Sequence, residues 1–389
     1  MTARASINAL AFGNFALGSG VLIVAGMLSE LADGLQVSLP VAGWLVAAAA
    51  IVIGVGAPVM ATLTSRIDRR RLLVAALAWY ALGLGVSALV SDFETLLVVR
   101  VLTVISAGIF TPQAAATAAL LVPPAERGRA LATTFLGWSI ASVIGLPLGA
   151  WIAGEFGWRV TFAFSAALAA LGAAAIYFTV PRGLKAEALN LHSWRLVLRD
   201  PVLPLVLLVT VVQASGQFIA FAYIAPLLAY AANADTTLRA LLLAWCGVFG
   251  VLGNIWVARR IDRMGPDRTA LIMLTLTATG IMVLGLAHGA TWVAALALLI
   301  WGAGIFGLNS SQQARLVVAA PPLAGASIAL NTTGMFLGQA IGASAGGAVL
   351  SGVGISALPW FAVTSVLAAM VLSQLAASRS RLRAVVNTA

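Results

Sequence analysis

Apolar residues in this chain come in long blocks, and the gaps between the blocks are short and rich in Arg, Asp, Pro and Gly. The blocks run to about 20 residues, the length a helix needs to cross a bilayer, and they lack the two-residue alternation of a barrel strand. In lipid every backbone N–H and C=O must find its partner within the segment, which makes the α-helix the predicted element. Cutting the blocks at their charged and Pro/Gly-rich gaps predicts twelve spans: 6–28, 40–63, 72–91, 95–121, 130–153, 159–180, 201–229, 238–258, 269–288, 291–314, 324–350 and 358–377.

Of the 389 residues 61% are hydrophobic and 9% charged, and the mean hydropathy is +1.04; a soluble domain has about 45–50% apolar residues. The chain is therefore read as a polytopic α-helical membrane protein. The lone Cys246 excludes an internal disulfide framework, and with His192 and His288 both in gaps no metal site is expected. There is no glycine-rich phosphate loop ending in Lys-Ser/Thr and no catalytic cluster, so no enzyme, single-chain ATP-driven pump or cofactor is expected. The first block is too long for a signal-peptide core and is expected to be a span kept in the mature protein.

The net charge of +10 comes almost entirely from Arg, since Lys185 is the only Lys. The basic residues sit in gaps and not along one face, which argues for membrane topology and against nucleic-acid binding. With the N-terminus in the cytoplasm, 19 of the 22 basic residues fall on that side; Arg100 and Arg159 lie at or within span ends, and Arg239 is left on the opposite side. The bias predicts that both termini are cytoplasmic, which requires an even number of spans.

The tetrapeptide Arg66-Ile67-Asp68-Arg69 returns as Arg260-Ile261-Asp262-Arg263, 194 residues later in a chain of 389. Gly56 and Gly250 stand ten residues before the two copies, and each copy is expected in the tight turn after the second span of its half. The predicted organisation is an N-terminal six-helix bundle, 1–181, a cytoplasmic linker, 182–200, and a C-terminal six-helix bundle, 201–389.

Duplicated halves with a charged motif after the second span of each, and Arg100 near the start of span 4, resemble the major facilitator superfamily. Pro123-Pro124-Ala125-Glu126-Arg127-Gly128-Arg129-Ala130 and Gly145-Leu146-Pro147-Leu148-Gly149 are similar to motifs of its exporters. Tyr223-Ile224-Ala225-Pro226, Gly253-Asn254, Asp262-Arg263-Met264-Gly265-Pro266, Gln313-Ala314-Arg315 and Ala329-Leu330-Asn331 resemble its arabinose-efflux-permease-like branch, within the twelve-span drug/proton antiporters. The resemblance implies an all-α fold of twelve transmembrane helices in two pseudo-symmetric six-helix bundles, in the cytoplasmic (inner) membrane, with a monomer expected.

The resemblance also implies roles for particular residues. Arg66, Asp68, Arg69 and Arg70, with Asp262 and Arg263 in the second half, would form a cytoplasmic latch between the halves; Ser65 stands where the family motif has its Asp, and Asp68 is expected to take over. Gly145 and Gly149 of span 5 and Gly334, Gly338 and Gly342 of span 11 give small-residue faces that let helix backbones approach closely. They would let the halves rock past each other, with Pro147 setting a kink; static packing is the alternative.

The chemistry turns on an absence. All 12 acidic residues fall at span ends, and Val21 aligns with the position where many relatives carry an acid in span 1. A buried carboxylate is the usual proton carrier and the usual counter-ion for a cationic drug. A neutral or amphiphilic solute is therefore favoured, and any coupling falls to Arg100 with a rim acid such as Asp33, Asp92 or Glu94, or to carboxylates near the helix ends. Arg100 is expected either to snorkel towards Asp92 or Glu94 or to line a wet cavity.

The polar groups left inside spans are amides and aromatics. Asn14, Gln113, Trp138, Gln213, Gln217, Tyr223, Trp245, Asn309 and Gln339 are predicted to line the substrate cavity, with an interhelical hydrogen bond as the alternative for any one amide. The expected function is export of a small neutral or amphiphilic solute of the drug, sugar or nucleoside class by alternating access with proton antiport. An uncoupled facilitator or an importer is the alternative. The expected partners are the small-molecule substrate, protons and the lipid bilayer.

Overall fold

The computed structural model describes residues 3–64, 67–123, 126–184, 191–320 and 323–388, with side chains except at 57–59, 61–62, 127–129, 132, 191–194, 324–325 and 382–388. Among these residues all regular structure is helical. In chain order the helices are α1 (Ala3–Gly26), α2 (Leu28–Gly34), α3 (Leu39–Ala42), α4 (Trp44–Leu63), α5 (Arg69–Ser87), α6 (Phe93–Leu120), α7 (Arg127–Ile140), α8 (Leu146–Phe156) and α9 (Trp158–Thr179). They continue as α10 (Leu191–Arg199), α11 (Leu203–Phe221), α12 (Ile224–Ala232), α13 (Thr236–Met264), α14 (Pro266–Gly285), α15 (Thr291–Ala319), α16 (Ala324–Gly352) and α17 (Leu358–Thr388).

Among the described residues, eleven stretches are long and apolar enough to cross a membrane. The predicted span 324–350 is also helical, as the 29-residue α16, but it carries Asn331, Thr332, Thr333 and Gln339 and is not one of the eleven. Large apolar side chains such as Leu82, Leu241 and Val371, each 62% exposed, stand outward on the long helices. A membrane helix turns such groups to lipid.

The chain forms two compact units: Met1–Leu189 with Thr236–Ala244, and Asn190–Asp235 with Trp245–Ala389. In the first, α1 packs on α7, α8 and α9, and α5 on α6 and α9. In the second, α11 packs on α16 and α17, and α14 on α15 and α17. The same order of contacts in each unit is what an internal duplication produces.

Two predicted spans are broken. The backbone leaves the helix at Met27 (φ −120°, ψ 25°) and at Tyr223 (φ −112°, ψ 27°), so spans 1 and 7 become α1–α2 and α11–α12. Pro226 accounts for the second break: it offers no N–H to the Ala222 carbonyl and its ring crowds that oxygen. Pro147 acts similarly in span 5, where Ala141–Gly145 widens into a π turn before α8.

The repeated tetrapeptide is a correction. In the first copy, whose Arg66 lies outside the described residues, Asp68 caps α5 and Arg69 opens that helix, whereas the second copy lies inside the last turn of α13 and the turn falls at Gly265 (φ 79°). Glycine suits that left-handed backbone, so the two copies are not structurally equivalent.

Candidate functional site

Gln213 and Gln217 lie one turn apart on α11 and so share a face. Gln217 Nε2 donates to Gln213 Oε1. Gln213 Nε2 and Gln217 Oε1 then have no partner among the described residues, and the side chains are 4% and 8% exposed. A donor and an acceptor are thus presented together in an apolar helix.

Counted back from the two breaks, Gln213 and Gln217 occupy the places of Leu17 and Val21 in α1. In α1 those side chains are apolar, and the backbone carbonyls are held instead: Tyr80 Oη donates to Leu17 O at 3.2 Å and Arg100 Nη2 to Val21 O at 3.3 Å. Arg100 Nη1 also donates to Gly20 O at 3.0 Å. The Arg100 side chain is 1% exposed, so it neither snorkels nor reaches Asp92, whose carboxylate caps α6 through the Thr95 N–H at 2.8 Å. This bond holds the Asp92 carboxyl below its usual range.

Most of the other predicted cavity residues are engaged by the fold. Asn14 donates to Thr134 O at 3.0 Å and accepts from Thr111 Oγ1 at 2.9 Å, and Trp138 Nε1 donates to the same threonine at 3.3 Å. In the second unit, Thr210 donates to Asn331 Oδ1 at 2.6 Å and Asn331 to Asn309 Oδ1 at 3.2 Å. Asn14 and Thr210 each lie thirteen residues before a break, so these are equivalent polar nodes that join the first helix of a unit to its neighbours.

Gln113 accepts from Arg69, and Tyr223 Oη donates to Ala343 O at 3.0 Å. Trp245 is 44% exposed and donates to Ala295 O at 3.1 Å. Gln339 is half-buried and has no hydrogen-bond partner among the described residues.

The charged loop is used within the first unit. Asp68 Oδ1 accepts the Arg71 N–H at 3.1 Å and Oδ2 the Gly183 N–H at 2.5 Å. Arg69 is 2% exposed, and Arg70 stacks on the Tyr177 ring at 4.4 Å. Burial pulls the Asp68 carboxyl up, but the N–H groups of Arg71 and Gly183 and the Arg71 charge outweigh it and leave the group below its usual range. Asp262 and Arg263 are exposed on α13, and Arg66 lies outside the described residues.

The small-residue faces are packed closely within their own units. A Cβ on Gly338 would stand 2.3 Å from Val211 O and one on Gly342 2.2 Å from Ser215 O, while Gly334 faces Val211 Cγ2 at 3.3 Å. Gly145 and Gly149 face Ser19 and Ile23 of α1 in the same way. These glycines close-pack helices of their own unit, which is the static role given as the alternative to a rocking surface.

Two ion pairs were not foreseen. Arg315, 3% exposed, meets Asp267 at 2.6 Å through Nε and also bonds Gln312 and Ser373. In the first unit, Arg239 meets Glu30 at 2.9 Å. The available signal for the second was that Arg239 stood alone against the charge bias.

A family model described as Major Facilitator Superfamily matches residues 10–343. The inner membrane transport protein YdhP of Escherichia coli K12 is 33% identical over 352 residues, 90% of each chain. A probable sugar efflux transporter of Mannheimia succiniciproducens is 26% identical over 347 residues, 89% of this chain and 87% of the relative. The solved structure of a D-xylose-proton symporter matches with a TM-score of 0.79 over 96% of this chain and 97% of the other at 17% identity, a likeness of fold alone. This chain is a multi-span membrane transport protein and belongs to the major facilitator superfamily.

Proposed function

We propose that the chain exports a small neutral, hydroxylated or amphiphilic solute by alternating access, coupled to proton antiport. It does so as a monomer of twelve spans in two six-helix bundles, with both termini in the cytoplasm, in the cytoplasmic (inner) membrane. The observation that carries the reading is the Gln213–Gln217 pair, which offers an unused donor and acceptor from a largely apolar helix. A neutral hydroxyl can give and take a hydrogen bond there without a buried counter-charge. The printed name of the Mannheimia relative, a probable sugar efflux transporter, supports the same class. Gln339 is the next candidate for substrate contact, followed by the half-buried Trp138.

An uncoupled facilitator is the second reading. It is favoured because the described acidic residues lie in loops, at or near helix ends or, for Glu30 and Asp33, in the seven-residue α2. Proteoliposomes with an acidic lumen separate the two. A pentose, a nucleoside or an amphiphilic neutral drug that accumulates above its outside concentration supports antiport. Flux that only equilibrates assigns the facilitator, and no flux of any neutral probe contradicts the substrate class.

A further inference from the structure

The second unit has a basic, partly apolar corner that holds none of the proposed solute-contacting residues. α10 lies against the ends of spanning helices: Val197, fully buried, packs in one cluster with Leu203 of α11, Leu316 of α15, Ala326 of α16 and Ala376 of α17. Leu196 and Leu198 are instead 42% and 61% exposed, and Arg195 and Arg199 beside them are exposed too. Just beyond Ala376, α17 exposes Arg379 and Arg381. The neighbouring acid, Asp200, directs Oδ1 to the N–H groups of Val202 and Leu203 at 2.9 and 3.1 Å, capping α11.

The apolar run of α17 ends at Ala377 and is followed by Ser378-Arg379-Ser380-Arg381, so the corner stands where that span leaves the hydrocarbon. A short helix with one buried face, and with leucines set among arginines on the other, fits the boundary between headgroups and acyl chains. Guanidinium groups at that depth match phosphate oxygens through paired N–H donors.

We propose that α10 and the end of α17 form a docking surface for anionic phospholipid of the surrounding bilayer. Leu196 and Leu198 enter the headgroup boundary, and Arg195, Arg199, Arg379 and Arg381 hold the phosphates.

The test uses the full chain with Cys246→Ser and Leu198→Cys, labelled at residue 198 with an environment-sensitive fluorophore. It is placed in nanodiscs of phosphatidylcholine alone or mixed with phosphatidylglycerol. The expected result is a blue shift that grows with phosphatidylglycerol and is reversed by salt. Arg195→Gln with Arg199→Gln should weaken the response roughly fivefold for each charge removed, and adding Arg379→Gln and Arg381→Gln should abolish it. A second probe at Leu208→Cys on α11, where the native side chain is 43% exposed, must read the same in every variant, which shows that the protein is inserted and folded. Equal emission in both lipids, or a phosphatidylglycerol response that survives loss of all four arginines, overturns the proposal.

Discussion

Gly183 donates its backbone N–H to Asp68 Oδ2 at 2.5 Å and so ties together residues 115 apart in sequence. The Arg69 N–H bonds Leu184 O at 3.0 Å beside it, so the chain leaving α9 is stapled to the start of α5. Asp68→Ala removes both the N-cap of α5 and the staple. Thermal unfolding in detergent should register a loss of about 1–2 kcal/mol. Asp262→Ala, on the exposed end of α13, should stay within about 0.5 kcal/mol of the parent.

The staple is also pH-dependent. Because the folded carboxyl of Asp68 is lowered, its contribution is present above the unfolded value of about 3.9 and is lost as pH falls through the folded value. The difference in melting temperature between the parent and Asp68→Asn should therefore hold from pH 8 to 5 and shrink below about pH 4. A difference as large at pH 3 as at pH 7 would show that the charge is not involved.

The glycine face of α16 should behave as packing. Gly338→Ala drives a methyl against the Val211 carbonyl and should destabilise by about 1–3 kcal/mol. Gly352→Ala meets nothing within 4 Å and should be nearly silent. If Gly338→Ala instead slows transport and leaves the melting temperature unchanged, the sliding interface expected from sequence is restored.

Arg100 is held by two carbonyls of α1, so its loss should be felt in the fold as well as in transport. Arg100→Ala is expected to lower stability by about 1.5–3 kcal/mol. Arg100→Lys should recover less than half of that, because an ammonium cannot span both oxygens as a planar guanidinium does. Comparing melting curves with uptake rates separates this structural part from any part in coupling.

Helix positions and the family were legible because lipid imposes length and apolarity on every span, and Pro147 marked a distortion by its chemistry alone, whereas Pro226 falls inside a span, 201–229, predicted as unbroken. The break at Met27 carried no such mark. Asn14, Gln113 and Asn309 take the interhelical alternative, since a buried Asn or Gln satisfies itself by whichever group the packing brings near. Asn14 found Thr134 and Thr111 across 120 and 97 residues, which no local pattern encodes. Gln213 and Gln217 could be singled out because their one-turn spacing lets them bond each other and leave two groups over. The repeated tetrapeptide misled because identical letters need not take one conformation: Asp68 stands before α5 as its cap and Asp262 inside the end of α13, and only the second copy is followed by Gly265-Pro266 after a single intervening residue, Met264.

The central claim is that the Gln213–Gln217 pair holds a neutral solute. The most direct measurement is the concentration dependence of transport in proteoliposomes for the parent, Gln213→Ala, Gln217→Ala and Asn14→Ala, using whichever neutral probe the parent moves. Losing one or two hydrogen bonds to the solute should raise KM by about tenfold or more for the two glutamine variants. Their maximal rates should stay near the parent's, whereas Asn14→Ala should act through stability with its KM unchanged. A KM that is the same for the parent and both glutamine variants would contradict the account.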